Sequence, residues 1–383
     1  MTITFVLLAL VLALLTAEAV TLRRARAAVP LRILVNGTRG KSSVTRLIAS
    51  GLRVSSHRTL AKITGVIPTI ILPDGSDEVI GRRGPARIPE QWRLLRRGAR
   101  IQADALALEC MSVTPELQRL ETRILRPQIY VLTNIRDDHQ EHMGTLAEQI
   151  ETFCSTIPNG CTVITGETKH LDALRKAVAG RQSTLIVARS EHRTKRREIP
   201  AAVENQSLAA AVLACLGADS PRALKALQKL SSGIDNASFT FKVSGGMCRF
   251  INGFDVNDVE SAERVLIQWE DRLGLSGDRY VVLNTRMDRP LRTLQFADWL
   301  ASLPRLRDIV LTGSHVFSAR RRLVRKGFIP TQIHRWSRDN LADARRSLER
   351  TVPAGSVVFG FGNIAGDGLS LLANLRQSNA AVA

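Results

Sequence analysis

Residues 31–52 read LRILVNGTRGKSSVTRLIASGL, and no other stretch limits the fold as strongly. The run LRILV has no polar alternation, which predicts a strand buried on both faces, as in a parallel sheet. VTRLIASGL carries helical apolar spacing, so the glycine turn between the two joins a buried strand to a helix N-terminus, where phosphates are held. Gly37 and Gly40 allow backbone N–H groups close to a phosphate, Lys41 supplies a cation and Ser42 offers a hydroxyl to magnesium, with Thr38, Arg39 and Ser43 completing the loop. Val35 stands where the longer G-x-x-x-x-G-K-[ST] pattern needs glycine, so the motif is the shorter G-T-R-G-K-S. An ordinary glycine turn is the alternative to nucleotide binding.

Two further strands are expected to end in polar groups. DALALEC reads as a buried strand ending at Glu109, whose carboxylate would lie where open α/β sheets place ligands and could reach magnesium; a satisfied strand-end glutamate is the other reading. PQIYVLTNI runs into RDDHQEHMG, so Arg136, Asp137, Asp138, His139, Glu141 and His142 crowd one loop. That loop is either metal and phosphate chemistry or a solvated turn.

Ahead of this region, Ile3–Leu22 carries one charge, Glu18, close to its end, and is long enough to span a hydrocarbon core of about 30 Å. MTITF has no basic side chain, whereas Arg23, Arg24 and Arg26 follow directly, which puts the amino terminus outside and the rest of the chain in the cytoplasm. TAEAV also reads as a small-residue cleavage site, so a cleaved signal peptide is the alternative.

The chain has 54 Lys plus Arg against 35 Asp plus Glu, a net charge of +19, which favours an acidic partner. Aromatics make up only 4% of it, with Tyr present twice, so the stacking platforms of single-strand nucleic-acid binders are missing and no nucleic-acid partner is expected. Clusters at Arg193, Lys195, Arg196 and Arg197 and at Arg320, Arg321, Arg322, Arg325 and Lys326 would suit an anionic membrane surface, or are solvated faces. Five scattered cysteines form no zinc-ligand spacing and suit a reducing compartment.

GTRGKSS, Glu109 and TNIRDDHQEHMG together resemble the ATPase domain of the Mur ligase superfamily, whose shared reaction is ATP-dependent amide ligation. More narrowly, VNGTRGKSSVTRLI, AKITGVIPTIILPDG, RIPEQ, DALALECMSVTPELQ, TNIRDDHQEHMGT and NTRMDRPLRTLQF are similar, in that order, to the PgsB/CapB poly-γ-glutamate synthase family. The resemblance implies ATP and Mg²⁺ as cofactors, with Ser42, Glu109 and His139 at the metal. It implies glutamate and a growing poly-γ-glutamate chain as substrates, and small integral-membrane partners. Lys41, Arg136, Asp138 and His139 would then be catalytic, with Asp138 or His139 as the base and Arg39 or Arg136 holding the acidic acceptor. Only residues 1–36 precede Gly37, so a separate UDP-binding domain is not expected. Where the superfamily carries a carbamylated lysine, the spacing here falls on Phe153 and Cys154.

ENQSLAAAVLACLG resembles the superfamily's helix that brings an asparagine to adenine, here Asn205; a helix N-cap is the alternative. Beyond it, FINGFDVND, YVVLN, DIVLTG and SVVFGFG alternate with helical segments, which predicts a second parallel-sheet domain. By the same resemblance that domain closes over the nucleotide, with Asn257, Arg286 and Asp288 at ribose or phosphate and Arg286 or Arg289 stabilising charge; capping and surface ion pairs explain these residues equally well.

The expected architecture is therefore α/β: a transmembrane anchor (1–22), a Mur-ligase-like P-loop central domain (23–235) and a smaller Rossmann-like C-terminal domain (236–383). The rival readings are a folylpolyglutamate-type ligase and a membrane-tethered P-loop NTPase with a regulatory role.

Overall fold

The computed structural model describes residues 2–65, 68–82, 84, 86–136, 143–188, 201–231, 238–254, 256, 258–287, 289–364 and 366–380. The chain divides into two compact units, Met1–Ser231 and Ser232–Ala383, each built on its own sheet.

In the first unit, helix α1 (Thr2–Ala28) precedes strand β1 (Leu31–Asn36) and helix α2 (Lys41–Val54). Strands β2 (Thr59–Ile63), β3 (Thr69–Ile71) and β4 (Asp77–Val79) follow, then helix α3 (Pro89–Arg100), strand β5 (Ala105–Glu109), helix α4 (Pro115–Leu125) and strand β6 (Ile129–Leu132). Helix α5 (Leu146–Thr156), strand β7 (Thr162–Thr165), helix α6 (Leu171–Ala179), strand β8 (Thr184–Val187) and helices α7 (Ala201–Cys215) and α8 (Pro221–Ser231) complete it. The sheet order is β4-β3-β2-β5-β1-β6-β7-β8, parallel except for the β2–β3–β4 edge.

The three strands expected to carry chemistry are thus neighbours: β1 lies between β5 and β6, with Val35 beside Glu109 and Asn36 beside Leu132. Their side chains alternate between two cores, because successive residues of a strand point to opposite faces. Leu34, Leu106, Leu108, Tyr130 and Leu132 pack under α3, α4 and α5. On the other face, Ile33, Val35, Ala105, Ala107 and Val131 meet α2 and α7. The small Ala105 and Ala107 let α2 sit close to the sheet, which brings its N-terminus over the strand ends.

The α1 helix does not stop where its apolar stretch does. It continues past Leu22 to Ala28, with Ala25 and Val29 buried in the unit's core. Among the described residues, Ile3–Ala28 is the one helix long and apolar enough to cross a membrane. Arg23 and Arg24 are exposed, but Arg26 bends back to donate to the Ile124 and Arg123 carbonyls, each at 2.7 Å. One of the three arginines following the apolar run therefore docks the helix.

The second unit holds strands β9 (Ser238–Val243), β10 (Gly246–Asn252), β11 (Arg279–Thr285), β12 (Leu306–Gly313), β13 (Ile333–Arg335) and β14 (Val357–Phe361). Their order is β13-β12-β11-β14-β10-β9, parallel except for β9 against β10. Helices α9 (Val259–Leu273), α10 (Pro290–Ser302), α11 (Val316–Arg325), α12 (Arg338–Ala342), α13 (Ala344–Glu349) and α14 (Asp367–Ala380) cover it. Each face has its own apolar core, one around Trp299 and Phe361 and the other around Phe250 and Phe254. Both expected parallel sheets are present.

Candidate active site

Gly37 leaves the end of β1 at φ 120°, and a Cβ there would lie 2.3 Å from the Thr133 hydroxyl and 2.9 Å from the Thr133 backbone nitrogen. Gly40 sits at φ 80°, immediately before α2, and a Cβ there would lie 2.3 Å from Asn205 Oδ1. Both positions combine a left-handed backbone with no room for a side chain, which only glycine satisfies. No side chain caps α2, so its first N–H groups, those of Lys41 to Ser43, are left for an incoming anion.

The loop is braced by the one after β6. Thr38 N–H donates to the Asn134 carbonyl at 2.9 Å, Arg39 N–H donates to Asn134 Oδ1 at 3.1 Å, and Arg136 N–H donates to Thr38 Oγ1 at 3.0 Å. Thr38 is buried and serves the loop itself, whereas Ser43 is exposed. Lys41 folds back over the loop, its Nζ donating to the Gly37 carbonyl at 2.7 Å and reaching the Thr38 carbonyl at 3.4 Å. An anionic ligand would offer that ammonium stronger acceptors than these neutral carbonyls.

Glu109 does meet Ser42. The Ser42 hydroxyl donates to Glu109 Oε2 at 2.8 Å, and the Thr64 N–H, at the end of β2, donates to the same oxygen at 2.6 Å. A hydroxyl and a carboxylate converging beside a phosphate loop form an all-oxygen donor set that suits magnesium, which binds through few protein ligands and completes its shell with water and phosphate. Among the described residues, no group of three or more His, Cys, Asp or Glu side chains is placed to hold a metal.

Asn205 is not a helix cap: it is the fifth residue of α7, and its side chain covers Gly40. Arg136 reaches Glu204 of the same helix, with 3.6 Å between Nη2 and Oε2. Phe153 is buried in the core of the first unit and Cys154 packs against that core, so the carbamate position of the resemblance is occupied by packing residues. Asp137, Asp138, His139, Glu141, His142, Asp255, Asn257 and Asp288 lie outside the described residues, as does the Arg193–Arg197 cluster.

In the second unit, Asp258 caps α9 by accepting from Ser261 N–H at 2.8 Å, and Asn252 Oδ1 accepts from Phe254 N–H. Buried Asn284 donates to the Asn363 carbonyl at 2.5 Å. Arg286, Arg289 and Arg292 line a small cleft at the ends of β11 and β14.

Sequence reasoning missed the supports of the site. Glu167 is buried and accepts from Ile135 N–H at 2.7 Å, fixing the loop that braces Thr38. Behind Glu109, two strings identified only by resemblance meet in one buried network. Lys62 of AKITG is fully enclosed, with its Nζ 2.9 Å from Glu90 Oε2 of RIPEQ, and Glu90 also takes a bidentate contact from Arg82. Gln91 donates to the Glu109 carbonyl at 3.1 Å and to Glu121 at 2.6 Å, while Glu121 accepts from the Ser112 N–H and hydroxyl. Burial pushes the Glu121 carboxyl up and draws the Lys62 ammonium down, whereas Arg82 and Lys62 hold Glu90 low against its own burial.

Because the folded pKa of Glu90 is lowered, its contribution to stability is complete above the ordinary carboxylate range and is lost as pH falls through the lower folded value. Lys62→Met strands part of that charge. We expect a loss of ~2–4 kcal/mol at neutral pH, below the full cost of an orphaned buried ion because Arg82 remains. Acid unfolding should also begin at higher pH, and urea melts across a pH series test both.

Residues 35–213 match the family model described as the Mur ligase middle domain, and residues 238–378 match that of the poly-gamma-glutamate synthase CapB C-terminal domain. Over 355 residues the chain is 32% identical to the capsule biosynthesis protein CapB of Bacillus anthracis, covering 88% of this chain and 75% of that one. The chain belongs to the CapB family. A second CapB, the PGA synthase of Bacillus subtilis (strain 168), is 28% identical over 361 residues, with 91% of each chain covered. Among solved structures, MurF from Acinetobacter baumannii superimposes with a TM-score of 0.65 at 15% identity, over 95% of this chain and 80% of that one. In this CapB-family chain the phosphate loop, Glu109 and Asn205 all fall within the Mur ligase middle-domain match, and the Arg286 cleft falls within the CapB C-terminal match.

Proposed function

We propose that this chain is an ATP-dependent acid–amino-acid ligase that polymerises glutamate through γ-linkages while anchored in a membrane. The observation that carries the reading is the loop between β1 and α2, with Lys41 folded over it and Ser42 bonded to Glu109 at the end of the adjacent parallel strand β5. Its membership of a family whose relatives are named for capsule biosynthesis and PGA synthesis supports the substrate class.

A carboxylate is a poor electrophile because oxide is a poor leaving group. Transfer of the γ-phosphoryl group of ATP to a glutamate carboxylate gives an acyl phosphate and ADP, and attack by the amine of another glutamate then forms the amide and releases phosphate. Lys41 and the N–H groups at the start of α2 neutralise the phosphoryl oxygens, and Gly37 and Gly40 let the backbone approach them. Ser42 and Glu109 are the residues that would hold magnesium, which supplies charge neutralisation at the phosphates. Arg39 or Arg136 holds the acidic acceptor, and Asp138 or His139 takes the amine proton. Asn205, lying over Gly40, borders the nucleotide.

In this reading α1 crosses the cell membrane with its amino terminus outside and both units in the cytoplasm, where ATP is available. Small integral-membrane partners would complete the synthase and pass the polymer outward.

The test is ATP consumption by membranes containing the chain, with and without glutamate, with the product analysed for γ-linked polymer. Glutamate-dependent turnover yielding such polymer is the expected result. Hydrolysis indifferent to glutamate, even with candidate membrane partners added, would replace this reading with a regulatory NTPase.

A further inference from the structure

The end of α1 meets a surface whose chemistry the ligase reaction does not use. Arg26, three residues past the exposed Arg23, is bonded to the carbonyls of Arg123 and Ile124 at the C-terminal end of α4. Val29 packs toward Gly98 of α3, and Ala25 is buried, so the junction between α1 and the unit has no slack. With Ile3–Leu22 filling a hydrocarbon core, Arg23 and Arg24 lie at headgroup level, and Arg26 lies about 5 Å further along the helix axis. The end of α4 is therefore held within about one helical turn of the headgroups.

That end of α4 is built for such a place. Leu117 and Leu120 are 42% and 41% exposed, three residues apart and so on one face of the helix, and Arg123 follows at the same spacing. Arg126 is exposed at the helix C-cap. Arg32 reaches across to the Arg26 and Arg126 carbonyls at 2.8 and 3.1 Å, which crowds arginines at one point. Among the described residues no carboxylate pairs with Arg23, Arg24, Arg123 or Arg126, and the exposed acid of α4, Glu116, lies in its first turn, beside Leu117 and two turns from Arg123. Exposed leucines beside unneutralised arginines suit the boundary between acyl chains and anionic headgroups.

We propose that the C-terminal half of α4, through Leu120, Arg123 and Arg126, with Leu117 one turn earlier on the same face, lies on the anionic phospholipid headgroups of the bilayer that α1 spans. The inference rests on the membrane-spanning reading of α1 and adds a defined contact face. It puts the contact on α4 and does not rely on the Arg193–Arg197 and Arg320–Lys326 clusters singled out by charge alone.

The experiment uses the full chain in proteoliposomes of phosphatidylcholine, with or without phosphatidylglycerol. A nitroxide is attached at Leu120→Cys in a chain whose Cys215 is serine, and in a second chain at the exposed native Cys215, which ends α7 on the opposite face of the sheet. A nickel chelate carried on lipid headgroups should relax the label at position 120 severalfold more than the label at 215. Phosphatidylglycerol should widen that gap, and Arg123→Glu with Arg126→Glu should narrow it without changing the thermal melt or ATP turnover. Equal relaxation at both positions overturns the proposal. So does a label at position 120 that ignores lipid but is immobilised by added poly-γ-glutamate, which would make the patch a product site. An impermeant thiol reagent applied to Ile3→Cys and to Cys215 separates the two levels of failure. Reaction from the same side refutes the spanning of α1 itself, whereas reaction from opposite sides with equal relaxation refutes only the contact face.

Discussion

Lys41→Ala is expected to lower ATP turnover by about 10²–10³-fold while leaving the melting temperature nearly unchanged. The asymmetry follows from what the ammonium touches. Among the described residues it is bonded only to the Gly37 and Thr38 carbonyls of its own loop, at 2.7 and 3.4 Å, and a lost bond to a neutral carbonyl costs the fold little. In the reaction it would face charge on the transferring phosphoryl group, where no neutral side chain substitutes for it. Steady-state ATP consumption alongside a thermal melt separates the two effects. A variant that loses activity only in proportion to its folded fraction would place Lys41 outside the chemistry.

Gly37→Ala should be more damaging than Gly40→Ala, although both glycines have positive φ. At Gly37 the added methyl meets the Thr133 nitrogen at 2.9 Å and the Asn134 carbonyl at 3.0 Å, so the backbone of the adjoining loop must move. At Gly40 the obstacle is the Asn205 side chain, which can rotate away. Each alanine pays about 1–2 kcal/mol for the left-handed backbone, and Gly37→Ala adds a steric cost that nearby rotamers cannot relieve. We expect Gly37→Ala to lose nucleotide binding and to melt several degrees lower. Gly40→Ala should regain part of its lost stability when combined with Asn205→Ala, and thermal melts of the three variants, with isothermal titration of an ATP analogue into Gly37→Ala and Gly40→Ala, test this order.

What was legible in the sequence followed burial. LRILV, ALALE and IYVL are enclosed on both faces of the sheet, and a strand in that position must be apolar throughout, so its ends stand out as the first polar residues. Glu109 and the TNIR loop were found in this way. The edge strands β3 and β4 left a weaker trace, because they are three residues each and β4 is exposed along its length. Glu167 and Glu121 left none, since a carboxylate that accepts backbone N–H groups needs no particular spacing from them. RIPEQ was visible only by resemblance, and its glutamate and glutamine turn inward to Lys62, Glu109 and Glu121. Asn205 shows the reverse: its residue type permits a cap, and only the start of α7 at Ala201 removes that reading.

Only Val29 and Pro30 separate α1 from β1, and β1 leads directly into the phosphate loop. An enzyme tethered by a flexible linker samples a hemisphere of solution, whereas a two-residue junction allows no such freedom. With α1 in a bilayer, the first unit moves as a rigid rider on a two-dimensional fluid, and a tilt of the helix is passed to Gly37 through one strand of about 20 Å. Encounters with other membrane-embedded proteins are then governed by lateral diffusion and by a narrow range of mutual orientations, so altering the length or pitch of α1 would change the rate of assembly before it changed any chemical step.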